Sequence, residues 1–211
     1  MLVLRLIHDG GPVMWIILIC SLLALAVFLE KTMQFHREEI NVRELLRGLF
    51  NVLKRDGLVE AITLCDNTPG PAAKLLGAAI VAWQRGDEDI RTAIDEAALE
   101  EIPKLEKHLN VLATMGFVLP LIGFFGTVLG MLKAFEVVRI SEYLSSTAIA
   151  GAVTMSLVTT AAGLAVAIPC YIGYNYLLAR VNAITLDMEK AALEITTFFE
   201  RRRKKNAAEK K

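Results

Sequence analysis

Residues 143–179 carry no charged side chain, a run of about 37 residues where about 20 apolar ones suffice to cross a bilayer. Within it stand Ser156 and the adjacent pair Thr159 and Thr160, followed by Gly163, Pro169 and Asn175. Polar groups at membrane depth are costly and face another helix or a water-filled path. The run therefore reads as a helix that lines something.

Two further apolar runs accompany it. Residues 13–29 form a run of about 17, closed by Glu30 and Lys31, and residues 111–132 form one of about 22. Lys133, just after the second, has the reach to snorkel to the interface. A signal peptide is the competing reading of the first run. No basic cluster precedes it and no small-residue cleavage site follows, while Pro12 suits the first turn of a helix. It is read as a retained span.

The formal net charge is +0, which gives no reason to expect nucleic acid. The tail, with Arg201, Arg202, Arg203, Lys204, Lys205, Lys210 and Lys211, is the one basic cluster; beside a span such a cluster marks the cytoplasmic side. The same rule places 31–110, rich in Lys and Arg, inside, and the connector 136–148 outside with the N-terminus. The expected architecture is an all-α protein with three transmembrane helices, long cytoplasmic helical extensions and an outside N-terminus. Its segments are 1–30 (periplasmic start and first span), 31–110 (cytoplasmic helices), 111–135 (second span), 136–148 (periplasmic connector), 149–180 (third span) and 181–211 (cytoplasmic helix and basic tail).

The middle segment reads as helical. Leu45, Leu46, Leu49, Val52 and Leu53 recur at helical spacing, and Asp56-Gly57 ends that helix. Asn67-Thr68-Pro69-Gly70-Pro71 is a turn from which Thr68 or Pro71 opens the next helix, which Gly86-Asp87 breaks. From Glu88 the pattern Ile90, Ile94, Ala97, Ala98, Glu101, Leu105, Leu109 runs into the second span as one long helix, with Pro103 as the expected kink.

The second span holds Gly123, Gly126, Thr127 and Gly130, and Gly126–Gly130 is a GxxxG spacing that lets helix backbones approach closely in lipid. Thr127 either bonds the carbonyl one turn back or lines a path. Pro120 and Pro169 each remove a backbone donor, freeing the carbonyls of Gly116 and Ala165. Such carbonyls must find water, a hydroxyl or another helix, so the prolines mark either a polar path or a purely structural kink. On the third span, Ser156, Thr160, Gly163 and Ala167 share a face that Ala152, Thr159 and Gly163 overlap. Packing and a lined pathway both account for this stripe.

No Asp, Glu, Lys, Arg or His lies deep in any of the runs. Threonine does not gain and lose a proton near working pH, so a proton path here needs a titrating group from another chain. Alternatively the hydroxyls and freed carbonyls coordinate a hard cation such as sodium. His8, His36 and His108 lie outside the spans or at their ends. Cys20, Cys65 and Cys170 show no metal spacing and no disulfide framework, and read as small buried hydrophobes. No catalytic triad, metal cluster, phosphate loop or cofactor motif emerges. An intramembrane enzyme lacks a nucleophile–base pair, since Cys20 and Cys170 have no His or Asp at their depth.

Three stretches together resemble the ExbB/TolQ/MotA proton-channel family, and most closely its ExbB branch. They are Gly10-Gly11-Pro12-Val13-Met14 with Glu30-Lys31; Pro120 to Met131 with its glycines and Thr127; and Thr159-Thr160-Ala161-Ala162-Gly163-Leu164 followed by Ala167-Ile168-Pro169 and Tyr174-Asn175. The likeness covers nearly the whole chain, and the last two motifs together are specific. MotA proper, with four spans and a larger cytoplasmic part, fits less well.

The resemblance implies a multi-pass protein of the bacterial inner membrane. It implies a homo-oligomer, a pentamer, around ExbD-like single-span partners whose membrane aspartate supplies the missing titrating group, with ion flow driving work passed to a TonB-like protein. The family's pore threonines match Thr127 and Thr160. Relatives often carry a glutamate five residues before the second of these, where this chain has Met155; that departure leaves Thr159 with Thr160 as the candidate sodium feature. The competing readings are a sodium-driven or TolQ-like subunit for envelope maintenance and, from another class, a scaffold that conducts nothing.

Overall fold

The computed structural model describes residues 11–38, 40–87, 89–140 and 146–209. The expectations for the segment 1–10 with His8 and Gly10, for Glu88, for the connector's centre at 141–145 and for Lys210 and Lys211 lie outside the described residues. Among the described residues the chain forms seven helices and no strand. They are α1 (Gly11–Glu38), α2 (Val42–Lys54), α3 (Leu58–Asp66), α4 (Pro71–Arg85), α5 (Ile90–Glu106), α6 (Leu109–Ile140) and α7 (Ser146–Glu209). Three of them are long and apolar enough to cross a membrane. The chain divides into two compact units, one holding the described residues up to Lys31 with His108–Leu177, the other Thr32–Lys107 with the described residues from Leu178 on.

The first unit is built from α1, α6 and the first half of α7. Val13, Ile17, Ala24, Leu119, Ala167 and Cys170 form its buried core. Outside that core the helices present large apolar side chains, among them Trp15, Leu22, Phe117, Phe124, Phe135 and Ile172. A surface of this kind is an aggregation hazard in water and the normal exterior of helices in lipid. Pro120 and Pro169 both lie inside unbroken helices. Lys31, the residue that closes the first apolar run, is itself buried.

The second unit places α2–α5 with the later half of α7. Asn41 caps α2, accepting from the Glu44 N–H at 3.4 Å, and Leu45, Leu46, Leu49 and Leu53 are its buried face. The turn at Arg55-Asp56-Gly57 is followed at once by α3, a short helix that periodicity alone does not reveal. Pro71 opens α4 after Gly70, whose φ of 106° only glycine adopts comfortably, and Gly86 closes it at φ 81°. Asp89 caps α5 through the N–H groups of Arg91 (3.0 Å) and Thr92 (3.4 Å). The Thr92 hydroxyl, donating to the same carboxylate, is the main cause that holds Asp89 below the usual carboxylate range.

The basic tail is more than a solvated run. Arg202 Nη1 donates to the Leu53 carbonyl at 2.7 Å and pairs with Asp56. Arg203 donates to the Asp87 carbonyl at 2.9 Å and lies over Trp83, which stacks on Phe199 with ring centroids 4.7 Å apart. Cys65 is buried here, and burial first, then Asp66, pushes its thiol up to about 11.

One expectation is corrected. Residues from Ile90 to the second span do not form one helix kinked at Pro103. Pro103 sits inside α5, and its carbonyl still receives the Lys107 N–H at 2.9 Å. The break falls at Lys107, with ψ 133°, and His108, with φ 70°. Proline prevents donation by its own nitrogen toward the preceding turn, so a helix that has already passed it continues until the backbone dihedrals change. His108 Nδ1 lies 3.6 Å from Glu30 Oε1, tying the start of α6 to α1.

Candidate ion-pathway site

The site is the seam between α6 and α7. Glycines on α6 recur one heptad apart, Gly116, Gly123 and Gly130, with Gly126 between, so they fall on nearly one face. Each meets α7 backbone or a small side chain. A Cβ on Gly123 would lie 3.0 Å from the Thr159 carbonyl oxygen, one on Gly126 2.5 Å from Thr159 Oγ1, and one on Gly130 2.7 Å from Ser156 Cβ. Gly163 returns the fit, its missing Cβ being 2.7 Å from the Leu119 carbonyl oxygen. The glycines therefore act through packing: without side chains they let two backbones touch, as small residues do between membrane helices. Gly116, which the sequence reading used only for its carbonyl, joins them against Tyr171; its heptad spacing was the available signal.

The hydroxyl residues separate by depth. Ser156 and Thr159 are buried at 2% and 0% exposure. Both donate to their own helix, Ser156 to the Val153 carbonyl at 2.7 Å and Thr159 to those of Ser156 (2.9 Å) and Met155 (3.1 Å). Thr127 and Thr160 stand at the open edge of the seam, half-buried. Their hydroxyls hydrogen-bond directly to each other across the helices. Both also reach the Gly123 carbonyl, Thr160 at 3.1 Å and Thr127 at 3.3 Å, and Thr160 has the Ser156 carbonyl at 3.2 Å as well.

Two hydroxyl protons serve this cluster. Whichever hydroxyl donates to the other, the second proton goes to a carbonyl, and the donor at the head of the chain keeps lone pairs for an incoming group. The cluster can thus accept a hydrogen bond from a protonated acid or water, or offer oxygens to a cation. It cannot itself titrate. Met155 is packed against Gly11 at the start of α1, an apolar contact at the position where the family resemblance led one to look for a carboxylate. Among the described residues, no group of His, Cys, Asp or Glu is placed to hold a metal ion.

Comparison with known proteins bears on this geometry. The family model described as the MotA/TolQ/ExbB proton channel family matches residues 69–190, a stretch containing the whole seam between Gly116 and Tyr171. A putative biopolymer transport protein ExbB homolog of Methanothermobacter thermautotrophicus is 23% identical over 85% of this chain and 64% of its own length. The Tol-Pal system protein TolQ of Haemophilus influenzae is 38% identical over 52% of this chain and 48% of its own. For these two, the chain spans less than two thirds of the relative's length. The biopolymer transport protein ExbB of Neisseria meningitidis serogroup A is 26% identical over 91% of this chain and 94% of its own.

Proposed function

The chain belongs to the MotA/TolQ/ExbB proton channel family, and on that premise we propose that it is an inner-membrane motor subunit whose ion path runs along Thr127 and Thr160. It is an ExbB/TolQ-type membrane subunit of a transport family. The finer reading is that several copies form a ring, a pentamer, around an ExbD-like single-span partner. Protons passing that partner's membrane aspartate then drive work delivered to a TonB-like protein for outer-membrane transport.

The hydroxyl pair at the open edge of the seam carries this reading. A scaffold helix gains only a modest interhelical hydrogen bond from two half-exposed threonines. An acid-bearing guest helix gains an acceptor that needs no rearrangement. Ser156 and Thr159 hold the helices at the spacing this requires, and the glycines allow it. Pro120 and Pro169 leave carbonyls along the same helices.

The test is ion flux. The complex, purified through a tag on this chain and placed in vesicles, is expected to pass protons down an imposed gradient. Thr160→Val, nearly isosteric, should abolish that flux while the oligomer stays intact. Undiminished flux in that variant would remove the pathway role of Thr160, and no flux from the unaltered complex would favour the scaffold.

A second coupling ion has its own support. Met155 leaves the span without a carboxylate, and Thr127 Oγ1, Thr160 Oγ1 and the Gly123 carbonyl form a compact oxygen cluster, the ligand type hard cations prefer. Flux under a sodium gradient alone distinguishes it. The TolQ relative supports envelope maintenance as the alternative destination of the work.

A further inference from the structure

The register that brings Thr127 to Thr160 continues along the seam. Moving from Thr127 to Gly116 on α6, and the same number of residues from Thr160 to Tyr171 on α7, covers about three helical turns and about 16 Å, which returns each helix to the same face. There Gly116 meets Tyr171: a Cβ on Gly116 would lie 3.4 Å from the Cα, Cβ and N of Tyr171. Gly116 is also the residue whose carbonyl loses its helical donor to Pro120. So a residue with a freed backbone acceptor and a residue bearing a phenol meet three turns away, in the register in which Thr127 and Thr160 meet at the first station.

Tyr171 is 58% exposed, and among the described residues its hydroxyl makes no hydrogen bond within the chain. Tyrosine hydroxyls at a membrane interface find water there. Tyr171, however, precedes the first charge of the following segment, Arg180, by about 13 Å of helix, well inside a hydrocarbon core of about 30 Å. An unsatisfied hydroxyl at that depth is costly in lipid.

We propose that Tyr171 and the Gly116 carbonyl form a second polar station on the ion path, between the threonine pair and the Arg180 end of α7. The phenol supplies a proton donor and an acceptor, and the carbonyl an acceptor. The station carries water or a hydrated ion from the threonine pair toward the end of the span. This inference rests on the reading of Thr127 and Thr160 as path residues.

Two measurements on the full chain in its purified complex test it. In flux assays Tyr171→Phe keeps the ring and removes only the hydroxyl, and should lower flux several-fold. Tyr176→Phe, on another face of α7, should leave flux unchanged. Pro120→Ala, which restores the donor to Gly116, should also lower it.

In the second measurement, with the native cysteines replaced by alanine, Tyr171→Cys should react with a charged, membrane-impermeant thiol reagent. Ile172→Cys, 63% exposed in the native chain and turned away by one residue, should not. Thr160→Val abolishing flux while Tyr171→Phe is silent overturns the second station and leaves the first. Silence of both variants overturns both. Labelling of Ile172→Cys as fast as Tyr171→Cys, or of neither, also overturns the station, because the phenol then faces no distinct aqueous path.

Discussion

Thr159 occupies the space that a side chain on Gly126 would need. Its Oγ1 and Cβ lie 2.5 and 2.7 Å from where that Cβ would sit, and the threonine is wholly buried. The two residues therefore set the separation of α6 and α7, and through it the meeting of Thr127 with Thr160. Gly126→Ala should force the helices apart, at a cost of about 1–3 kcal/mol typical of overpacking, and lower the fraction of intact complex after mild heating in detergent. Thr159→Ala in the same chain should recover part of the loss. Gly151→Ala is the control: nothing lies within 4 Å of its missing Cβ, so it should be silent.

At the threonine pair, loss of one hydroxyl should change little in stability. Interhelical hydrogen bonds in membranes contribute about 0.6 kcal/mol on average, so Thr127→Val and Thr160→Val should each leave the oligomer's thermal midpoint nearly unchanged while stopping flux. Thr160→Ser, which keeps the oxygen, should retain most of it. The double valine variant should be no worse than either single one, because the two hydroxyls act as one unit. Flux from vesicles loaded with matched amounts of each variant checks this.

Arg202 ties the end of α7 to the turn after α2 by donating to the Leu53 carbonyl and pairing with Asp56. Asp56 is largely exposed, so the ion pair is worth little. The bond to the carbonyl, in a side chain only 22% exposed, matters more. Arg202→Ala should cost about 1–2 kcal/mol and quicken proteolysis at Arg55-Asp56-Gly57. Arg202→Lys should not restore protection, because an ammonium cannot reach both acceptors as the guanidinium fork does.

Glu101 is buried on α5 between Lys74 at 2.9 Å and Lys104 at 2.7 Å. Burial alone would raise its carboxyl, but hydrogen bonds from Lys104 and Lys74 outweigh that and hold it below its ordinary value. A lowered folded value means that the ionised form stabilises the fold. That contribution is complete above the ordinary 4.5 and is lost as pH falls from there through the folded value. With both lysines half-exposed, about 1 kcal/mol is at stake. Glu101→Gln should remove this part of the acid sensitivity of the unit holding α2–α5, read by helical circular dichroism between neutral and acid pH, and lower stability at neutral pH.

The three long helices were legible in the sequence because charge-free length alone dictates them: in lipid a segment must satisfy its own backbone. The caps and breaks at Asp56-Gly57, Pro71 and Gly86 were legible for the same local reason, since turn chemistry needs only neighbouring residues. The candidate residues of the seam were also visible, as a stripe of small and hydroxyl side chains. Their division was not. Periodicity puts Ser156, Thr159 and Thr160 on overlapping faces, and only the partner helix decides which of them is sunk against a glycine and which meets Thr127. The interruption at Lys107–His108 escaped because its cause is a change of backbone dihedrals carrying no glycine or proline, and α3 because it is too short to show a period. The tail residues Arg202 and Arg203 read only as a marker of the cytoplasmic side, because the Leu53 and Asp87 carbonyls they reach are remote in sequence. What the sequence determined by itself is the local feature that carries a residue signature, such as charge-free length or a glycine or proline at a turn. What tertiary structure decided is every feature whose energy lies in a contact between segments, because there the identity of a residue acts only through the partner that the fold brings to it.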